Sequence, residues 1–250
     1  TLALEFQGHS DMIRTISLDP IGQYLLSGSD DNSVKIWEVM TGRCVKTIAT
    51  GDIVKWVEWC PNSNLSLILV ASGRRTLLIN PGVGDALVVS KTDQVLADST
   101  HNLSTSDVMV SERVKMTVQW SSPSAEDGAR GVRMVLTHFR EVAQVRWHGR
   151  GDYFATVLPE GQNRSVVISQ LSRQRSQLPF GKSKGLVQTV LFHPSKPCLF
   201  VATQRHVRVY DLVKQVMVKK LLTNSKWISA MAIHPMGDNL LVGTYDRKML

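Results

Sequence analysis

The stretch from Gly8 to Ile48 constrains the fold of this chain more than any other part of the sequence. It holds four short segments rich in apolar and β-branched residues, separated by tight turns, within about forty residues. The predicted strands are Met12–Asp19, Tyr24–Ser29, Val34–Val39 and Cys44–Ile48. Gly, Pro, Asp and Asn between them are turn residues, and the spacing leaves no room for a helix of ordinary length. The pattern predicts a four-stranded antiparallel sheet of the size of one propeller blade.

Four polar residues in this stretch resemble the buried network of WD-repeat blades: His9, Ser27, Asp31 and Trp37. By that resemblance, Asp31 accepts a hydrogen bond from His9, which in turn bonds Ser27. The Ser27 hydroxyl then meets the indole N–H of Trp37. A buried carboxylate and a buried indole N–H both need partners, so the network is expected on physical grounds too. We interpret it as structural and not as a catalytic triad, because no nucleophile in it has an exposed approach.

The same rhythm of strands and turns returns along the chain. The turn after the first strand recurs at intervals of 41 residues (Asp19 to Cys60), 45 residues (His148 to His193) and 41 residues (His193 to His234). These intervals match the period of about 40–45 residues of WD repeats. We therefore predict an all-β fold, a WD40 β-propeller, with about four and a half of seven blades in this chain, which would make the chain a fragment. The predicted blades span about 8–48, 50–139, 140–182, 184–223 and, truncated, from 225 onward.

The second predicted blade departs from the repeat. Asn80 falls where Trp37 lies in the first blade, so the Trp network is expected to be absent there. Residues 90–130 are polar and are predicted to form an insertion, partly disordered. The apolar segments Met116–Trp120 and Val132–Thr137 could form an outer strand or a hairpin. A complete degenerate blade in this region is the competing interpretation.

Motifs of catalysis and metal binding are scarce in the sequence. The three cysteines (Cys44, Cys60 and Cys198) are too few and too scattered for a disulfide framework or a zinc site. The sequence has no phosphate-binding loop, no zinc-protease motif and no nucleophile elbow. We expect no catalysis, no cofactor and no metal. No apolar run approaches about eighteen residues, so we expect no membrane partner.

Charge is unevenly distributed along the chain, whose formal net charge is +8. Residues 1–139 carry 12 Lys or Arg against 15 Asp or Glu, whereas residues 140–250 carry 17 against 6. An asymmetry of this size predicts a basic face for a polyanion such as RNA. The candidate contacts are Arg164, Arg173, Arg175, Lys182, Lys184, Lys214, Lys219, Lys220 and Lys226. The alternative is a solvated rim whose charge serves solubility alone.

Several stretches go beyond a generic WD repeat, namely 148–157 (HGRGDYFATV), 170–185 (QLSRQRSQLPFGKSKG), 192–215 and 219–241. They resemble the Block of Proliferation (Bop/Erb) family of ribosome-biogenesis proteins. The resemblance implies a non-enzymatic scaffold of the nucleolus and nucleoplasm that supports maturation of the large-subunit rRNAs. It implies as partners Pescadillo, a second WD-repeat protein, the pre-60S particle and pre-rRNA. In that family Pescadillo binds mainly through a region that precedes the propeller, so no residue here is assigned to it.

Two functional hypotheses follow from the sequence. The first is the scaffold just described, which contacts both protein and pre-rRNA. The second is a general WD40 adaptor that binds only proteins, such as a substrate receptor of a ubiquitin ligase, with incidental basic charge. Salt-dependent binding to rRNA discriminates between them, because counterion release accompanies phosphate contact.

Overall fold

The computed structural model describes residues 3–103, 110–181 and 185–250, and antiparallel β-sheets dominate them. The first sheet, blade one, has four strands in sequence order. They are β1 (Ile13–Leu18), β2 (Tyr24–Ser29), β3 (Ser33–Glu38) and β4 (Cys44–Ala49). The turn between β2 and β3 places Asn32 at φ 62°, a left-handed conformation that Asn tolerates better than most residues.

Blade two is a five-stranded sheet with the order β5-β6-β7-β9-β8. Its strands are β5 (Val54–Trp59), β6 (Ile68–Ser72), β7 (Arg75–Ile79), β8 (Val118–Ser121) and β9 (Val132–His138). Among the described residues between β7 and β9 there are three helices: α1 (Ala86–Leu103), α2 (Glu112–Lys115) and α3 (Ala125–Ala129). Strand β9 pairs with β7, and β8 adds a fifth strand at the outer edge.

The structure bears on two interpretations of this region. The segment predicted to be a partly disordered insertion contains the helix α1 and further ordered elements among its described residues. These elements lie between strands of one sheet, as an insertion in blade two would. The competing interpretation, a separate degenerate blade, does not fit, because β8 and β9 both belong to the sheet of blade two. The apolar segment at 132–137 forms most of β9, and its residues Val132 and Leu136 are buried in the sheet of blade two.

Blades three and four return to four strands in sequence order. Blade three contains β10 (Gln144–Trp147), β11 (Tyr153–Val157), β12 (Val166–Gln170) and β13 (Arg175–Gln177). A 3-10 helix, Pro159–Arg164, joins β11 to β12. Blade four contains β14 (Val187–Phe192), β15 (Cys198–Thr203), β16 (His206–Asp211) and β17 (Val216–Leu222). A last sheet pairs β18 (Ile228–Ile233) with β19 (Leu240–Thr244), and Met249 bridges back to Gly243. The prediction of an all-β fold is confirmed.

Apolar faces of successive blades pack against one another to form the core. Leu26 and Ile36 of blade one meet Val57 and Val70 of blade two, and equivalent clusters join the later blades. Burial of such faces stabilises the fold by about 25 cal/mol per Å² of apolar area. Gly28 allows blades one and two to approach, because a Cβ there would lie 2.5 Å from Cγ1 of Val54.

Hydrogen bonds also join the first strands of neighbouring blades. The Thr15 hydroxyl accepts from the backbone N–H of Val57 (2.8 Å), and the Ser17 hydroxyl accepts from that of Trp59 (2.9 Å). One blade further on, the Glu58 carboxylate accepts from the N–H of Trp147. At the next junction, Oε1 of Gln144 accepts from the N–H of Val190 (2.9 Å). Side chains thus supply partners for backbone donors at the sheet edges, which have no neighbouring strand to bond.

Candidate nucleic-acid interface

The four residues of the expected WD network lie together in blade one. Nδ1 of His9 is 2.7 Å from Oδ2 of Asp31, and Nε2 of His9 is 2.7 Å from Oγ of Ser27. The indole N–H of Trp37 donates to the same Ser27 oxygen over 2.8 Å. Trp37 is only 1% exposed, so its N–H has no access to water and depends on this bond.

Asp31 is the anchor of the network. Besides His9, its carboxylate accepts hydrogen bonds from the backbone N–H of Ser10 (3.1 Å) and from the N–H (3.0 Å) and hydroxyl (2.6 Å) of Ser33. Burial raises the pKa of this carboxyl, but the bonds from Ser33, His9 and Ser10 outweigh it and lower the pKa to about 2. Because both carboxylate oxygens are occupied by the chain itself, the network holds blade one together and offers no site for a ligand. Ser33, which the sequence pattern did not single out, is part of it.

Arg164 lies at the end of the 3-10 helix between β11 and β12. Its guanidinium packs over the ring of Phe139, 3.9 Å from the centroid, and Nη1 donates to the backbone oxygen of Met116 (3.3 Å). This side chain is half-buried and held in place, unlike a solvated surface arginine.

Arg173 and Arg175 lie at the other end of blade three. Arg173 is exposed in the turn after β12, and Arg175 is half-buried at the start of β13, opposite Gln170. Strand β12 separates them from Arg164, and five extended residues span about 16 Å. The structure therefore does not bring these three candidates into one patch. Lys182 and Lys184, the remaining candidates in this stretch, lie outside the described residues.

The second group of candidates lies on blade four. Lys219 and Lys220 are neighbours on β17, the outer strand, so their side chains leave opposite faces of the sheet. Lys214 precedes β17, whereas Lys226 follows it. All four lysines are exposed, but the strand divides them among different faces and ends.

One face of blade four gathers basic residues from two strands. Lys220 pairs in register with Arg208 on β16, and His206 lies two residues from Arg208 on the same face. Arg205 lines a shallow groove together with Lys226. We call Arg205, His206, Arg208, Lys220 and Lys226 the blade-four basic cluster.

Electrostatics support the grouping of this cluster. Burial lowers the pKa of His206, and the positive charges of Lys220, Arg208 and Arg205 lower it further. Within the described parts of the chain, no Asp or Glu forms an ion pair with Arg205, Arg208, Lys220 or Lys226. Asp246 lines the same groove, but its carboxylate accepts from Thr244 and lies 3.4 Å from Nζ of Lys248. Donors without a carboxylate partner are available to phosphate oxygens.

Arg205 and Arg208 were missed by the sequence analysis. A signal was present in the stretch from Arg205 to Asp211, where His206 and Arg208 alternate with valines at the period of a strand. What the sequence could not supply was the register that sets Arg208 opposite Lys220.

Metal sites and membrane-spanning helices are both absent from the described residues. No group of three or more His, Cys, Asp or Glu side chains within ranges 3–103, 110–181 and 185–250 is arranged to hold a metal ion. Among those same residues, no helix combines the length and the apolar character needed to cross a bilayer.

Comparisons with known proteins agree with the repeat pattern. The model of the WD domain, G-beta repeat, matches residues 1–38. The chain is 62% identical over 248 residues to a ribosome biogenesis protein BOP1 homolog of Drosophila grimshawi, and 61% identical to that of Drosophila melanogaster. It is 64% identical over 247 residues to the homolog of Culex quinquefasciatus.

Each of these matches covers 99% of the chain but only 28–31% of the relative. The chain therefore spans less than a third of the length of the curated relatives it matches. The resemblance to the Block of Proliferation family is confirmed over nearly the whole chain, which is 61–64% identical to a segment of these ribosome biogenesis protein BOP1 homologs.

Proposed function

We propose that this chain is a non-enzymatic scaffold segment in the biogenesis of the large ribosomal subunit, with direct contact to pre-rRNA. The observation that carries the RNA contact is the blade-four basic cluster, whose arginine and lysine side chains lack carboxylate partners among the described residues. Such donors fix a protein on a nucleic-acid backbone without reading its sequence. The relatives named as ribosome biogenesis proteins supply the cellular setting.

The wider context of the proposal follows the family. The partners would be the pre-60S particle, Pescadillo and a second WD-repeat protein, with Pescadillo binding outside this chain. The place of action would be the nucleolus and the nucleoplasm. Catalysis forms no part of the proposal, because the polar network of blade one is satisfied by the chain itself.

RNA binding can be tested with the full-length protein and a fragment of the large-subunit precursor rRNA. Affinity measured at several salt concentrations should fall steeply, since each neutralised phosphate releases counterions. The double variant R208E/K220E should bind more weakly and reduce the log–log salt slope by about 1 for each phosphate that is no longer neutralised. Arg43→Glu, an exposed arginine on blade one, serves as the matched control of charge reversal.

Two results would contradict the proposal. If R208E/K220E bound the RNA with the affinity and the salt slope of the wild type, blade four would not be part of the RNA contact. The general WD40 adaptor would be favoured if the full-length protein did not co-sediment with pre-60S particles and co-purified with proteins but not with RNA.

A further inference from the structure

A cavity of about 660 Å³ opens between blades two and three and shares no lining residue with the blade-four basic cluster. Three segments meet there: the region of α2 that leads into β8, the end of β9, and the 3-10 helix after β11. Its wall includes Arg113, Phe139, Arg140, Glu160, Arg164 and Gly181. We call this cavity the arginine pocket. Its volume is within the range of small-ligand sites, about 300–1,000 Å³.

Two of its arginines are held in fixed positions. The guanidinium carbon of Arg164 lies over the Phe139 ring, 3.9 Å from the ring centroid. Arg113 donates from Nη2 to the backbone oxygens of Asn163 (2.8 Å) and Gly181 (3.2 Å). Because these contacts order the side chains before any ligand arrives, binding would not carry the full entropic cost of ordering them.

Arg140, the third arginine, is exposed, and its guanidinium lies 6.0 Å from the Phe139 ring. No carboxylate of the described residues forms an ion pair with Arg113, Arg140 or Arg164, although Glu160 borders the same cavity. Three guanidinium groups against one carboxylate give the pocket a positive field, which favours an anionic ligand.

The combination of groups indicates what kind of anion fits. Guanidinium groups bind phosphate oxygens through paired N–H donors, and their planes also stack on bases. Arg164 borders the cavity while Phe139 supports it, so the part of the guanidinium that the ring leaves uncovered can receive a base. Glu160 disfavours a ligand that is phosphate throughout, and it can accept hydrogen bonds from the N–H or O–H groups of a base or ribose.

We propose that the arginine pocket binds an unpaired nucleotide of single-stranded RNA. The nucleotide's phosphate contacts Arg140 and Arg113, and its base stacks on Arg164. A concave pocket admits a base that has left its helix, whereas bases stacked inside a duplex cannot enter. The outer strand of blade four, in contrast, is an open surface, which suits contact with the RNA backbone alone. This inference rests on the proposed contact with pre-rRNA and deepens it.

The test compares two RNA forms on the full-length protein by fluorescence anisotropy. One probe is a short single-stranded RNA, and a second is the same strand with abasic sites in place of its bases. Arg164→Lys keeps the charge but loses the planar stack, and it should weaken binding of the first probe about tenfold, the scale of one stacked base. Binding of the abasic probe should barely change, because it has no base to stack.

Arg140→Gln provides the second variant, chosen because Arg140 is exposed and makes no hydrogen bond among the described residues. It should weaken both probes by a similar factor, since it removes a phosphate contact. Arg150→Gln is the matched control: it removes one exposed arginine at the opposite end of β11 and should leave both affinities unchanged. Thermal unfolding of each variant confirms that the fold is intact.

The outcomes separate this inference from the function it rests on. RNA binding that is indifferent to both Arg164→Lys and Arg140→Gln would overturn the pocket and leave the proposed function standing. Absence of any RNA binding by the wild type would overturn the RNA contact as a whole. Equal weakening of the two probes by Arg164→Lys would rule out stacking. A phosphoserine peptide that displaced the RNA at equal concentration would assign the pocket to a phosphoprotein instead.

Discussion

Blades one and two have different residues at the point of the third strand that Trp37 occupies in blade one, and their buried polar side chains near it bond to different parts of the chain. In blade one that residue is Trp37, whose N–H is bonded through Ser27 to a loop before the first strand. In blade two the strand register places Ile79 there, because Ile79 pairs with Ile68 and Val132 as Trp37 pairs with Leu25 and Cys44. The alignment of Asn80 with Trp37 expected from the sequence is therefore off by one residue. Asn80 follows the strand and is 2% exposed. Its amide nitrogen donates to the backbone oxygen of Val89 (2.9 Å) and to Oδ1 of Asp93 (2.8 Å), both on α1.

The inserted helix thus supplies the partners of the buried Asn80 side chain and is bonded to the sheet of blade two. Asp93 also accepts two bonds from Arg133 of β9, over 2.7 and 3.0 Å, so one carboxylate links the helix to two strands. Trp37 and Asn80 are both buried and need partners for their polar groups.

The largest effect in this comparison should come from Asp31→Ala. The substitution removes the acceptor for Ser10, Ser33 and His9 at once, and we expect a loss of about 2 kcal/mol in the free energy of unfolding. Urea denaturation of the full-length protein measures it. Asp30→Ala, the adjacent residue, whose carboxylate pairs with Arg14 at the surface, should change stability little. Equal effects of the two variants would show that the network contributes no more than a surface ion pair.

Acid should affect the two blades in different pH ranges. The pKa of Asp31, lowered to about 2 in the folded protein, lies below its ordinary value of 3.8, so the unfolded chain takes up the proton first. The contribution of Asp31 to the free energy of unfolding is complete above about pH 4 and is lost as the pH falls toward 2. In blade two, burial lowers the pKa of His138 from 6.5 to about 3. The unfolded chain therefore takes up this proton at a higher pH than the folded protein does. The contribution of His138 to the free energy of unfolding is lost as the pH falls from about 6.5 to about 3.

Unfolding free energies measured from pH 7 to pH 2 test this order. His138→Gln should flatten the curve between about pH 6 and 4, and Asp31→Asn should flatten it only below about pH 4. A curve for Asp31→Asn that runs parallel to the wild type below pH 4 would contradict the bonding assigned to that carboxylate.

The smallest effect should follow Asp93→Ala. Asn80 keeps its bond to Val89, and the side chain of Asp93 is 40% exposed, so water can replace part of what is removed. We expect a loss of about 1 kcal/mol, confined to blade two. Hydrogen exchange should speed up in α1 while the amides of β1 to β4 stay protected. Exchange that accelerates equally in blade one would contradict the local role of Asp93.

The regular blades could be predicted from the sequence because their signals are local. Strand alternation, turn residues and the spacing of His9, Ser27, Asp31 and Trp37 all fall within one repeat. Helix α1 could not be predicted in the same way. Its residues Val88, Val89 and Thr92 have modest helix propensity, and only two of its described side chains, Thr92 and Leu96, are buried. Tertiary bonds from Asn80 and Arg133 decide its place.

The candidate site shows a similar limit. Arg164 and Arg173 are close in sequence, yet β12 separates them in space. Arg208 and Lys220 are slightly further apart in sequence than that pair, yet the register of β16 and β17 sets them opposite each other. The density of charge along the sequence thus pointed to the C-terminal half of the chain, whereas the grouping of the charges depended on strand pairing.

The hydrogen bonds between first strands have a direction that bears on how the protein is made. At every junction described, the accepting side chain belongs to the earlier blade and the donating backbone to the later one: Thr15 and Ser17 for Val57 and Trp59, Glu58 for Trp147, and Gln144 for Val190. A ribosome releases the earlier blade first. The acceptors for each newly synthesised edge strand therefore lie on a blade that has already left the ribosome. The bonds between first strands can form in chain order during translation, before the C-terminal end of the chain has been made.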